Sequence, residues 1–248
     1  MNTDVMSKSH PREILGVVGG LGPLASAEFL KTIYEYNLDQ REQNSPIVMV
    51  YSDPTFPART EAFANGHQDD LLVRLIEALD RLCDLNVSKI VICCVTIHYL
   101  LPRVPFELRE KVLSLLDVIF STVEQLGKRH LLICSNETRK WEIFQSHPAW
   151  TALQDCFVLP DEGDQRRIGE MILQIKGNRN ISGMIPFLDN LLGRYKVDSF
   201  IAGCTEMHIL AKLFSSYNNG RYNYGCVDPL AMLAKNLGCR SRERVRSL

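Results

Sequence analysis

Two cysteines in this 248-residue chain stand where a thiol could move a proton. Cys94 ends the phrase Lys89-Ile-Val-Ile-Cys-Cys94 and is followed by Val95, Thr96 and His98. Cys204 ends Ser199-Phe-Ile-Ala-Gly-Cys204 and is followed by Thr205, Glu206 and His208. Each phrase is a short apolar run that reads as a buried strand, with a helix-like segment after it. A thiol at the C-terminal tip of a parallel strand lies at the open edge of an α/β sheet, where ligands bind. A free thiol titrates near ~8.5, so modest electrostatic help makes the thiolate available at neutral pH. Two such thiols suggest a pair of acid/base groups contributed by two similar lobes.

The other six cysteines, at 83, 93, 134, 156, 226 and 239, read as small core hydrophobes. No pair has C-x-x-C spacing, so neither a zinc knuckle nor a thioredoxin-type motif is supported, and no metal is expected. With 46% hydrophobic and 23% charged residues the composition is that of an ordinary globular domain, and a net charge of -1 gives no field to attract nucleic acid or an anionic membrane. The apolar runs fall short of the ~20 residues of a membrane span. Residues Met1 to Pro11 are polar and lack the h-region of a secretory signal, so a frayed N-terminus, a cytoplasmic setting and free thiols are expected. The basic end from Arg240 to Arg246 reads as a solvated terminal helix or tail.

The elements that must position the thiols alternate strand with helix. Strands are predicted at 14–18, 47–51, 89–93, 112–116, 130–134, 155–159, 199–203 and 222–227. Helices are predicted from Pro23, over 69–85, 117–126, from near Thr138, over 164–176, 182–195 and 206–214, and from Pro229. Such alternation implies an α/β fold with parallel sheets covered on both faces. The pattern restarts near residue 130, which implies two similar Rossmann-like lobes: residues 1–116 with 216–248, and residues 117–215. No Pro- or Ser-rich linker separates them, so a tight interface with a site in the cleft is expected. The turn Gly19-Gly20-Leu21-Gly22-Pro23 matches neither G-x-G-x-x-G nor a Walker loop. It reads as a tight turn whose backbone N–H groups face the cleft and hold a carboxylate.

Taken together, Gly19-Gly20-Leu21-Gly22-Pro23-Leu24, Tyr51-Ser52-Asp53-Pro54 with Pro57, Arg59 and Thr60, Cys94-x-Thr96-x-His98 and Gly203-Cys204-Thr205-Glu206 resemble the aspartate/glutamate racemase family. Within it the chain is most similar to the cofactor-independent aspartate racemases, from about Ile14 to Leu213. The resemblance implies two α/β lobes related by a pseudo-twofold, a site between them, a homodimer, and no need of metal or pyridoxal phosphate. It places the catalytic thiols at Cys94 and Cys204. It associates Arg59 and Lys176 with a substrate's side-chain carboxylate, and Thr96, Ser135, Thr138 and Thr205 with its α-carboxylate and amine. Ser52, Val95 and Glu206 complete the expected substrate-binding set. Two departures stand out. Val95 replaces the asparagine usual after the first catalytic cysteine, and Cys134-Ser135-Asn136-Glu137-Thr138 replaces an Ala-Thr-x-Gly-Thr segment.

Inverting an α-carbon requires a base on one face and an acid on the other, and one thiolate with one thiol supplies both. The function implied is interconversion of L- and D-aspartate. Other readings stay open: a relative acting on glutamate, hydantoin or maleate, an enzyme using one cysteine alone, or a non-catalytic amino-acid-binding protein.

Overall fold

The apolar runs pair in parallel, as strands buried on both faces do. The computed structural model describes residues 13–38, 40–216 and 224–246, and in it the strands form two sheets. The first contains β1 (Ile14–Gly19), β2 (Ile47–Ser52) and β3 (Lys89–Ile92) in the order β2-β1-β3. The second contains β4 (His130–Ile133), β5 (Phe157–Val158), β6 (Ser199–Ala202) and β7 (Gly225–Val227) in the order β5-β4-β6-β7. All the pairings are parallel. The α/β class expected from the alternation is the class observed.

Between the strands run α1 (Pro23–Asn37), α2 (Arg59–Ala64), α3 (Gln68–Asp84), α4 (Phe106–Arg109) and α5 (Leu115–Leu126). Then come α6 (Asn136–Lys140), α7 (Trp150–Leu153), α8 (Glu162–Lys176), α9 (Ile185–Tyr195), α10 (Glu206–Ser216) and α11 (Pro229–Arg246). Local chemistry sets their ends. Pro23 occupies the first turn of α1, where its missing N–H has no partner to lose. Ser114 and Asp161 cap α5 and α8 by accepting the N–H of Asp117 and Asp164. Gly127, at φ 59°, ends α5 in the left-handed region that glycine tolerates. On α3 the leucines at 71, 75, 79 and 82 are buried, each contributing about 2 kcal/mol.

Three expectations are corrected. The strand predicted at 112–116 is a single bridge, Ile90 to Val112, because the Ser114 cap starts α5 at Leu115. The strand predicted at 155–159 is reduced to Phe157–Val158 by a 3-10 turn at Gln154–Cys156. The helix-like segments expected after both cysteines are present, as a 3-10 helix, Thr96–Arg103 with Pro102 inside it, after Cys94 and as the α-helix α10 after Cys204. Residues 216–248 do not return to the first lobe as a unit. The strand β7 extends the second sheet through β6, and α11 lies on α1 of the first lobe and on α5 of the second.

One apolar cluster runs through both lobes, from Val17, Phe29 and Val91 to Leu132, Ile201 and Val227, so the lobe interface is part of the core. The seven cysteines at 83, 93, 94, 134, 156, 204 and 226 are free, and Cys83, Cys93, Cys134, Cys156 and Cys226 sit in or against apolar clusters, as expected. No helix among the described residues is long and apolar enough to cross a membrane. The expectations for Met1 to Pro11, for Tyr222 and Asn223, and for the side chains of Cys239 and the basic end lie outside the described residues.

Candidate active site

The parallel sheets deliver Cys94 and Cys204 to the same edge, just past the C-terminal ends of β3 and β6. Both are mostly buried, with 7% of each residue exposed. The loops carrying them are tied together across the lobes: Thr205 Oγ1 donates to the Cys93 carbonyl at 3.2 Å. A second tie is a cluster of buried hydroxyls. Thr96 Oγ1, from the first lobe, lies 2.9 Å from Thr138 Oγ1 and 3.4 Å from Ser135 Oγ. Ser135 also caps α6 through the Thr138 N–H.

Charge converges on the two thiols. Glu206, in the first turn of α10, is buried and accepts the Cys204 S–H at Oε2, 2.8 Å away. Its Oε1 has no hydrogen-bond partner and lies 3.9 Å from Lys176 Nζ at the end of α8. Burial acts to lower the Lys176 pKa, but the Glu206 carboxylate, followed by the two cysteines, prevails against it and against Arg59, and the ammonium is held above its usual range. Burial, then the Glu206 charge, push the Cys204 thiol well above its ordinary value, while Lys176 works the other way. The neighbouring Cys93 and Cys134 are raised by burial, Cys134 to about 12, which keeps both as inert thiols.

The glycine turn meets this cluster from the first lobe. Gly20, at φ 85°, packs so closely on Asp53 that a Cβ would fall 2.3 Å from its carbonyl. A Cβ on Gly22 would fall 2.3 Å from Glu206 Oε1. The protein's own Glu206 carboxylate thus lies against the turn, but its Oε1 accepts no hydrogen bond from the turn's N–H groups. Arg59 donates to the carbonyls of Leu21 and Pro57, bracing the same turn. That leaves other guanidinium N–H groups of the five for a ligand. Ser52 is exposed at the tip of β2, in register with Gly19.

Val95 lies in the core with its side chain against apolar residues, so it offers a ligand no polar group. His98 is tied up in backbone contacts. Its Nδ1 donates to the Cys94 carbonyl at 2.9 Å, and its Nε2 accepts the Leu115 N–H at 3.0 Å, an arrangement that needs the neutral ring. Burial, only partly opposed by the bond to Cys94, holds its pKa at about 4. The unfolded chain takes up that proton near 6.5, so between 6.5 and 4 the unfolded state binds more protons than the native one. The His98 contribution to stability is therefore full above pH 6.5 and falls by about 3 kcal/mol as the pH drops to 4. Urea unfolding of wild type and His98→Asn across that range measures it; parallel profiles would refute the neutral buried ring.

Three contributors escaped sequence reasoning. The carbonyl of Cys93 and the bare Cα of Gly22 act through backbone and space, which leave no compositional trace. Gln165, on α8, braces the 134–136 loop by donating to the Cys134 carbonyl at 3.0 Å and to Asn136 Oδ1 at 3.1 Å.

A family model described as Asp/Glu/Hydantoin racemase matches residues 18–236. Among solved structures, the aspartate racemase of Picrophilus torridus is similar with a TM-score of 0.77 at 22% identity, over 92% of this chain and 94% of that one. The glutamate racemase of Campylobacter jejuni subsp. jejuni reaches 0.56 at 20% identity, over 92% and 85%. The allantoin racemase of Klebsiella pneumoniae reaches 0.53 at 12% identity, over 92% and 88%. At these identities the likeness is one of fold.

Proposed function

The chain belongs to the Asp/Glu/hydantoin racemase family, and we propose that within it this protein interconverts L- and D-aspartate, using Cys94 and Cys204 as acid and base on opposite faces of the α-carbon without pyridoxal phosphate. The observation that carries the reading is the pair of buried thiols, one just past β3 and one just past β6, on loops that the Thr205 bond to the Cys93 carbonyl ties together.

The chemistry follows from the surroundings. One thiolate takes the α-proton and the other thiol returns a proton from the far side. An α-proton is far less acidic than a thiol, so negative charge developing on the substrate carboxylate must be stabilised. The hydroxyls of Thr96, Ser135 and Thr138 form one polar surface for that carboxylate. Lys176 and Arg59 supply positive charge for a distal carboxylate, Arg59 with a planar fork suited to a two-oxygen grip. The partnerless Oε1 of Glu206 is the acceptor for the substrate ammonium. Thr205, bound to the Cys93 carbonyl, braces the site, and Val95 fills the core behind it. The family resemblance extends the proposal to a homodimer acting in the cytoplasm.

The test is to incubate L-aspartate with the protein in D2O without pyridoxal phosphate. The α-position is expected to gain deuterium while optical rotation decays to zero. Glutamate and alanine run alongside test the distal anchor, with alanine, which lacks that carboxylate, expected to react at least about tenfold more slowly. Turnover of glutamate in place of aspartate would move the substrate assignment; no exchange on any of the three would end the racemase reading.

A further inference from the structure

The two thiols occupy equivalent places in the fold but not equivalent surroundings. Cys204 Sγ is 2.8 Å from Glu206 Oε2, the geometry of an S–H donating to a carboxylate. Among the described residues no carboxylate is hydrogen-bonded to the Cys94 thiol. Glu206 is held in place from the opposite lobe. Its Oε1 rests where a side chain on Gly22 would begin, and Gly22, at φ -163°, is in extended backbone that any residue adopts. Gly22 is therefore needed for the space it leaves rather than for its backbone freedom.

We propose that Glu206, seated against Gly22, holds the resting proton of the thiol pair on Cys204, leaving Cys94 as the base that acts first. The inference deepens the racemase reading and rests on it. Its basis is that ionising Cys204 would place a thiolate beside a buried carboxylate. The groups facing Cys204 are Glu206 from α10, Lys176 from the end of α8 and Cys94 from beyond β3, with Arg59 of α2 acting on Lys176. One ammonium, 3.9 Å from Glu206, can offset one of the two negative charges but not both.

In a turnover that starts from rest, the Cα–H bond breaks and its proton passes to Cys94 Sγ. A new Cα–H bond then forms with the proton of Cys204. The enzyme is left with a thiol at 94 and a thiolate at 204 beside Glu206. Transfer of one proton from Cys94 to Cys204 through solvent restores the resting form, and the Glu206 carboxylate drives that return. Glu206 is thus a positioning residue for the proton on Cys204 as well as a contact for the ammonium.

The test is alkylation by iodoacetamide at about pH 7, with the rate at each cysteine read by peptide mass spectrometry. In wild type Cys94, with no carboxylate hydrogen-bonded to it, is expected to label at least about tenfold faster than Cys204. Glu206→Gln keeps the shape and removes the charge, and is expected to speed Cys204 labelling by about tenfold or more while Cys94 changes little. Gly22→Ala displaces the same carboxylate without removing it and should also speed Cys204. Only the end of a flexible side chain has to move, so that variant is expected to fold, as checked by circular dichroism. Equal labelling of both thiols in wild type, or unchanged Cys204 labelling in both variants, would overturn the assignment. Labelling needs no substrate, so absence of aspartate racemisation with this pattern intact would sink the racemase reading and leave the proton assignment standing.

Discussion

Cys94→Ala and Cys204→Ala are each expected to lower racemisation of aspartate by about 10²–10⁴-fold, the usual contribution of a positioned general acid or base. The two thiols come from different sheets, so neither can reach the face that the other serves. A chain lacking one of them can still lift and replace a proton on a single face, which exchanges hydrogen without inverting the centre. Deuterium exchange on one enantiomer with negligible loss of optical rotation is thus the expected signature of each variant. Both sites are tightly packed, and alanine removes only the sulfur, so the native fold should persist. Near-normal racemisation by either variant would defeat the two-thiol scheme, whatever the substrate.

Asp228→Ala is expected to lower the free energy of unfolding by about 2–4 kcal/mol, about 1–3 from leaving a buried donor unpaired and about 1 from the lost helix cap. Asp228 Oδ2 accepts from Nδ1 of the fully buried His208 at 2.6 Å. The other ring nitrogen lies 2.9 Å from Thr32 Oγ1, which also receives Lys212 Nζ at 2.9 Å. Lys212 in turn reaches Glu28 and Glu35, so the chain of contacts runs from α11 through α10 to α1. The same aspartate caps α11, accepting the N–H of Leu230 and Ala231, a contribution of about 1 kcal/mol. Alanine would leave a buried N–H with no acceptor and α11 without its cap. Urea denaturation measures the loss, and Asp228→Asn, which retains an acceptor, should lose less. A loss below about 1 kcal/mol in the alanine variant would mean that the His208 contact adds nothing beyond the helix cap.

The strand-then-cysteine phrases were legible because burial on both faces writes a continuous apolar run, and the thiol that ends each run interrupts nothing. The helices α1, α3, α8 and α10 were legible for the complementary reason, an apolar stripe with a period of 3.6. Val112 to Leu116 misled because its apolar residues suit a strand and a buried first turn of helix equally, and the Ser114 cap decides between them. The destination of β7 was hidden because a three-residue strand carries no information about which sheet it joins. His98 and His208 both follow a cysteine by four places, yet one holds a backbone carbonyl and the other a carboxylate from α11. Spacing along the chain could not separate them, since the partners are long-range. Glu206 and Lys176 were placed at the site on resemblance, and the contact between Glu206 and Gly22 had no signal in either.

The return of α11 onto α1 has a consequence for how the protein is made. Asn37 Nδ2 donates to the Ala234 carbonyl, and Leu230, Leu233 and Ala234 share a cluster with Phe29 and Ile33. An N-terminal lobe emerging from the ribosome therefore has one side of α1 bare until α11 has been translated, many seconds later at about 5–20 residues per second. Until then that apolar flank is open to non-specific association. A chain truncated before Pro229 would keep both thiols and every charged group near them, yet remain in that waiting state.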